Sequence, residues 1–312
     1  MKIKEIHTKI SIFIVLLSSV YHVNAQSWQD PFNAVQLSDE FDQTKMQVTF
    51  YSENKDFCDY HVEISFQYTE GFVGMRKNIS LTVSNGKRQI LNYKVAEGAR
   101  SYSYRYTYTM YRGNANKLPN SDFTYRLPVA EGDKLLSEVV ENKFDYQLRF
   151  QVFTDTIYAC RGGIICNDNL KDFTAKGHET FSNGRILSQV TVYHADGSFG
   201  EYVFQGKLLV YPGKIVKMGT PLAIINKNSY EASFVLFSTY FLDKNKVNDK
   251  THGNKHTHFR PFFQTSNHGK IRLENDTNYF CEQTDEMFMQ DMNKNQKKNY
   301  LKNKFKQFED EK

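Results

Sequence analysis

The sequence predicts an all-β protein built from two β-domains. Three observations carry that expectation. Between about residues 45 and 280, apolar and aromatic residues recur with a period of two in short runs, the spacing at which one strand face meets a core. Clusters of Gly, Asn, Asp and Pro interrupt those runs. The same region shows no long helical periodicity. At 312 residues the chain is long enough for two ordinary domains.

Residues 10–20 form an apolar run behind Lys2, Lys4 and Lys9, followed by the small-residue stretch Val23-Asn24-Ala25. This reads as a secretory signal peptide over 1–25, with the mature chain starting near Gln26. The run is too short for a membrane span. The expected location is secreted, periplasmic or on the cell surface, with no stable membrane insertion. The 40 basic and 35 acidic residues give +5; residues 1–25 hold three Lys and one Glu, leaving +3 for the remainder. So small an excess excludes nucleic acid as an expected partner.

The first domain is expected over 30–125. Residues 46–51 and 60–68 read as strands. Residues 81–83 and 89–95 flank Asn85-Gly86, a pair that predicts a hairpin turn because both central positions of such a turn want positive φ. Residues 101–111, SYSYRYTYTMY, place Tyr102, Tyr104, Tyr106 and Tyr108 on one face of a strand. Such a ladder predicts a sheet face packed on a second sheet, with hydroxyls reaching the edge; a binding platform for sugar or peptide is the sharper alternative. Together these elements predict a small immunoglobulin-like β-sandwich.

Tyr125-Arg126-Leu127-Pro128 with Glu131-Gly132 reads as a connector, and the second domain is expected over 134–282. Its strands are predicted at 147–152, 156–159, 164–166, 189–194, 200–204, 208–210, 233–241, 259–264 and 271–273, with a polar insertion at 168–183. Cys58, Cys160, Cys166 and Cys281 allow three disulfide pairings in an exported chain. Buried free thiols or one long-range bridge are the expectation, since no CxxC pair suggests a metal site. Residues 285–312 form a basic tail with seven lysines after Asp291. It is expected to be a solvated, mobile end; Tyr300, Leu301 and Phe305 at helical spacing offer an amphipathic helix that would suit an anionic polymer or membrane surface. Asn78-Ile79-Ser80 and Asn275-Asp276-Thr277 fit the glycosylation sequon.

Four blocks organise the second domain: DTIYACRGGIIC (155–166), VYHADGSFGEYVFQG (192–206), LVYPGKIVKMGTPLAII (209–225) and NSYEASFVLFSTYFLD (228–243). In order and spacing they resemble the catalytic domain of the lysostaphin/LytM-type zinc endopeptidases, which cut peptide cross-bridges in bacterial cell walls. The resemblance implies a duplicated hybrid motif β-fold. It also implies a zinc site: a His and an Asp on the entering strand, the second His of a His-x-His strand, and a catalytic His in a Tyr-x-His-Leu block. In this sequence Arg149 stands at the Asp position, Phe204 at the Tyr-x-His-Leu histidine, and Phe234 and Leu236 at the His-x-His pair. His194 and Tyr202 remain as groove candidates. The resemblance therefore implies a shell without its metal, with no cofactor expected. Phe234, Leu236 and Phe204 are expected to fill the former pocket, with Arg149 at its rim beside an acidic partner.

His256-Thr257-His258 spells a second His-x-His and is the alternative metal pair, with zinc as cofactor if it is used. It lies far from Gly219, and Phe234–Leu236 sits closer to the family's spacing. His252 and His268 stand near it, while His178 is expected to be exposed in the insertion. The functional expectation is a catalytically inactive, peptidase-like binding module for cell-wall peptide or an exported protein partner. An active zinc endopeptidase and a surface or adhesion scaffold are the alternatives.

Overall fold

The computed structural model describes residues 34–141, 146–167, 187–225, 233–251 and 253–310, with side chains to 303 apart from residue 141. The signal-like segment, the polar insertion with His178, and His252 lie outside the described residues. The fold is mostly β, and the chain divides into two compact units, Met1–Ala115 and Asn116–Lys312.

Among the described residues the first unit has six strands: β1 Val35–Asp42, β2 Gln47–Asn54, β3 Tyr60–Glu70, β4 Asn78–Val83, β5 Gly86–Lys94 and β6 Ser103–Arg112. They make two antiparallel three-stranded sheets, ordered β1-β2-β5 and β4-β3-β6. Alternation drives the pairing: Ile64 and Phe66 of β3 are buried while Glu63, Ser65 and Gln67 between and beside them are half-buried or exposed, and Phe50 of β2 meets Phe66 at 5.4 Å. Tyr104 and Tyr106 of β6 face the other sheet. Tyr104 and Tyr106 lie 5.6 and 5.4 Å from the Phe50 ring, and both donate hydroxyl hydrogen bonds to Asp39 of β1. Burial, reinforced by that carboxylate, pushes both phenols well above their ordinary range.

The predicted hairpin at Asn85-Gly86 is a sheet-to-sheet corner instead. β4 pairs with β3, whereas β5 pairs with β2, so the two flanking strands never meet. Only Gly86 takes positive φ. Asn85 turns its amide to the carbonyls of Asn54 and Asp56, at 3.3 and 2.8 Å, which holds the corner. Beneath it, buried Asp56 accepts from the Phe57 N–H and the Tyr60 hydroxyl and pairs with Arg112 at 3.1 Å.

The second unit begins with β7 Thr124–Arg126, β8 Lys134–Glu141, β9 Tyr146–Val152, β10 Thr156–Tyr158, β11 Gly163–Ile165, β12 Ser188–Tyr193 and β13 Ser198–Phe204. It continues with β14 Gly206–Leu208, β15 Ile215–Val216, β16 Pro221–Ile225, β17 Ser233–Leu242, α1 Lys244–Asn248, β18 His256–His258, β19 Phe262–Thr265, β20 Gly269–Ile271, β21 Thr277–Phe280, α2 Asp285–Met289 and α3 Lys294–Asp310. Among the described residues nine strands form one sheet, ordered β15-β11-β12-β13-β17-β9-β8-β21, with β18 also paired to β17. Two three-stranded sheets, β10-β16-β14 and β20-β19-β7, complete the unit.

One face of the large sheet carries the core: Leu148 and Phe150 of β9, Val235 and Phe237 of β17, and Tyr202 and Phe204 of β13, with Tyr125 and Phe263 from the β7–β19 sheet. The presumed connector at Tyr125 is thus a strand of this unit. β7 pairs in parallel with β19, and Tyr125 and Leu127 are buried in the core, so the division falls before it.

The start of the basic tail is also docked. Met287 of α2 is buried in the same core, and Gln290 both accepts from and donates to the backbone of Thr124, at 2.9 and 3.1 Å. The Tyr300 hydroxyl donates to Asp285 at 2.9 Å. Met287 and Phe288 are the apolar anchors of the segment, a signal that its many lysines obscure in the sequence.

Gly163 marks the closest backbone approach in the large sheet. A Cβ there would sit 2.4 Å from the Tyr193 carbonyl oxygen and 2.7 Å from Val192 Cγ1. Gly163→Ala is expected to force β11 away from β12 and to cost about 1–3 kcal/mol. A urea unfolding midpoint that falls with unchanged slope is the readout; an unmoved midpoint would show that the strand yields freely.

Candidate functional site

The face of the large sheet opposite the core is set by strand register. Arg149 of β9 lies opposite Leu236 of β17, which lies opposite Val203 of β13, which lies opposite Gln189 of β12. Glu138 of β8 flanks Arg149 on its other side. Because side chains alternate across a strand, Phe234, Leu236, Ser238 and Tyr240 share this face with Arg149, Gln147, Glu201 and Phe199.

Arg149 pairs with Glu138 at 3.1 Å, and its guanidinium carbon lies 3.9 Å from the centre of the Phe234 ring. Leu236 is buried in a small apolar cluster with Leu187 and Val203. Phe204 departs from expectation. It pairs with Val235, which puts it on the opposite face, fully buried in the main core. Arg149, Phe234 and Leu236 are therefore brought together and Phe204 is not. A zinc site needs three N, O or S donors around an open position. A cationic guanidinium, a phenyl ring and an isobutyl group do not fit that donor set.

Next along the face is a polar row. Gln147 donates to the Ser238 hydroxyl at 3.3 Å. Gln189 donates to Glu201 at 3.0 Å, and the Tyr240 hydroxyl approaches the same carboxylate oxygen at 3.4 Å. The Tyr240 ring stacks on Phe199 at 5.1 Å and lies 5.2 Å from His256 and 5.4 Å from His258. His258 Nδ1 is 3.2 Å from the Tyr146 carbonyl oxygen, to which it donates. The two histidines are edge-strand residues packed on a tyrosine. Among the described residues, neither belongs to a group of three His, Cys, Asp or Glu ligand atoms within 4.8 Å of one another.

His194 and Tyr202, expected in a groove, are both interior. Tyr202 points to the core, and its hydroxyl accepts the Cys160 N–H at 2.7 Å. His194 is 1% exposed; its Nδ1 lies 2.8 Å from the Gly162 carbonyl, so Nδ1 carries the proton and Nε2 is left without a partner. Burial, then the nearby charge of Arg161, pulls its pKa down to about 3. All four cysteines are buried thiols outside any disulfide, and burial pushes Cys160 up to about 12.

Sequence reasoning missed the buried charge cluster beside His194. Arg161, 2% exposed, pairs with Asp196 at 2.7 Å and Asp291 at 2.8 Å, and its guanidinium carbon lies 3.7 Å from the centre of the Phe123 ring. Burial alone would raise the Asp196 carboxyl. Arg161 and hydrogen bonds from Ser198 and the Asn120 N–H outweigh it and hold the group at about 2. Glu201 and Tyr240 were missed as well; only the pairing of β13 with β17 places them on the Arg149 face.

No protein-family model matches the chain, and no curated protein matches it. Among solved structures it is similar to the M23 metalloprotease pseudoalterin from the deep sea, at 15% identity over 52% of this chain and 96% of that one, with a TM-score of 0.30. It is also similar to Helicobacter pylori Csd3, at 11% identity over 77% of each chain and a TM-score of 0.30. A third is a zinc-containing peptidase from Vibrio cholerae, at 11% identity over 74% of this chain and 87% of that one, with a TM-score of 0.27.

Proposed function

We propose that this chain is an exported, non-catalytic binding module that uses the Arg149–Tyr240 face of the large sheet to hold peptide, from the cell wall or from an exported protein. One observation carries the reading. Leu236, Phe234 and Arg149 occupy a shared face with apolar packing and an ion pair, where the sequence resemblance puts metal ligands. What the face does offer is a strip of aromatic rings, amides and the carboxylates of Glu138 and Glu201, which suits the backbone and side chains of an extended peptide. Export rests on the charged, apolar and small-residue pattern of residues 1–25.

Elemental analysis of the purified mature chain tests this. The expected result is zinc far below stoichiometric after mild dialysis, no hydrolysis of a glycyl peptide, and retention on wall sacculi or an exported protein. Finding about one zinc per chain, lost on chelation together with peptide hydrolysis, would sink the proposal.

A further inference from the structure

Beyond Arg149, the outer face of the large sheet continues over β9, β8 and β21 with a different surface. Leu135, Val152 and Tyr279 are buried in the core, so alternation turns Lys134, Phe153 and Phe280 outward. Lys134 pairs with Phe280 across β8 and β21, and its Nζ lies 5.3 Å from the centre of the Phe153 ring. One row therefore runs Phe280, Lys134, Phe153 across three adjacent strand positions. Phe153 is 48% exposed and Phe280 39%. A single exposed Phe means little. Two on one row with a cation between them make a patterned surface. In the next row Leu136 lies between Asn278 and Gln151. Among the described residues no hydrogen bond engages either side-chain amide.

The sheet edge beside this row is closed. β21 is the outermost strand, yet the Phe280 N–H donates to Asn267 Oδ1 at 3.3 Å, and its carbonyl accepts the Ser266 N–H at 3.1 Å. The Asn278 carbonyl accepts the Asn267 amide at 2.9 Å. These backbone groups are already paired, so a ligand meets the row through side chains rather than as an added strand.

Spacing selects the ligand. Two inter-strand steps separate the ends of the row by about 9–10 Å. An extended peptide presents the same face at every second residue, about 7 Å apart, which does not match. An extended β-linked sugar chain presents the same face at every second sugar, an interval close to that of the rings. The C–H groups on a sugar face carry slight positive charge and pack on the negative face of an aromatic ring. Hydroxyl and acetamido groups at the sugar edge suit amides, which donate and accept, and the Lys134 ammonium, which donates. We propose that the Phe280–Lys134–Phe153 row binds a β-linked glycan chain, with alternate sugars on the two rings and Asn278 and Gln151 along its edge. The residues of this row are distinct from those of the peptide strip, so the two readings stand or fall separately.

Calorimetric titration of the mature chain with chitotetraose, chitobiose and maltotetraose is the test. Chitotetraose is expected to bind. Chitobiose is too short to reach both rings, and the α-links of maltotetraose curl its chain; each is expected to bind roughly tenfold or more weakly. Phe153→Ala and Phe280→Ala should each weaken chitotetraose by about fivefold. Both side chains are exposed, so each variant should keep its melting temperature. No binding of chitotetraose, equal binding of either control, or full affinity in either variant would overturn the site. A dimer in sedimentation that Phe280→Ala dissolves would overturn it too, by making the row a contact between copies. Zinc-dependent hydrolysis of the glycyl peptide would remove the binding-module reading and leave this site. Sacculus retention by a chain that ignores chitotetraose would do the reverse.

Discussion

Replacing Arg161 with Met is expected to destabilise the second unit by about 3–5 kcal/mol, because it strands a buried carboxylate. Arg161 is 2% exposed and is the cation paired with Asp196, whose side chain is 14% exposed. Asp291, a third exposed, would recover much of its hydration, so most of the loss belongs to Asp196. The variant also loses the Phe123 stacking and the tie to the segment after α2. Urea unfolding at pH 7 measures the effect. A second variant separates charge from packing: Arg161→Met with Asp196→Asn removes the unpaired charge and keeps one acceptor oxygen, for Ser198, while the Asn120 N–H loses its acceptor. The double variant should therefore be more stable than Arg161→Met alone. A loss below about 1 kcal/mol for the single change, as for an exposed pair, would mean that the cluster is solvated.

The strands were legible because a period of two is local. β3 and β6 show their buried faces in the residues themselves, and the tyrosine ladder could be assigned to a sheet interface before any partner was known. Pairing is not local. Asn85-Gly86 looks like a hairpin to its neighbours, yet β4 and β5 find partners in different sheets. At the site, alternation correctly put Phe234, Leu236 and Arg149 on one face, because the register of β9 on β17 happens to match the spacing argument. Phe204 failed for the complementary reason. Its face depends on the pairing of β13 with β17, where it meets Val235 over the core. Tyr202 and His194 carried the polar atoms expected of groove residues, but their environment comes from Cys160 and Gly162, on a segment distant in sequence. The Arg161–Asp291 pair spans 130 residues and left no short-range pattern at all.

His194 should make the second unit acid-sensitive in a specific window. Its ring is neutral in the folded chain, with Nδ1–H on the Gly162 carbonyl and Arg161 close by, and its pKa falls from 6.5 to about 3. The unfolded chain therefore binds a proton below pH 6.5 that the folded chain refuses. Stability is complete above 6.5 and is lost as pH falls toward 3, at about 1.4 kcal/mol per unit. At pH 5 the deficit is about 2 kcal/mol. Asp196 acts lower: its carboxyl is held at about 2 against 3.8, so its contribution is present above 3.8 and disappears only as pH falls toward 2. Between 6.5 and 4 the histidine dominates this cluster. His194→Asn places an amide where Nδ1 stood, keeps a donor for Gly162 and cannot titrate. Unfolding free energies of the native chain and the variant, compared from pH 7.5 to 5, should diverge by about 2 kcal/mol in favour of a flatter variant curve. Groups common to both chains cancel in that difference. Parallel curves would show that His194 takes up its proton in the folded state, and with it that the cavity beside Arg161 admits water.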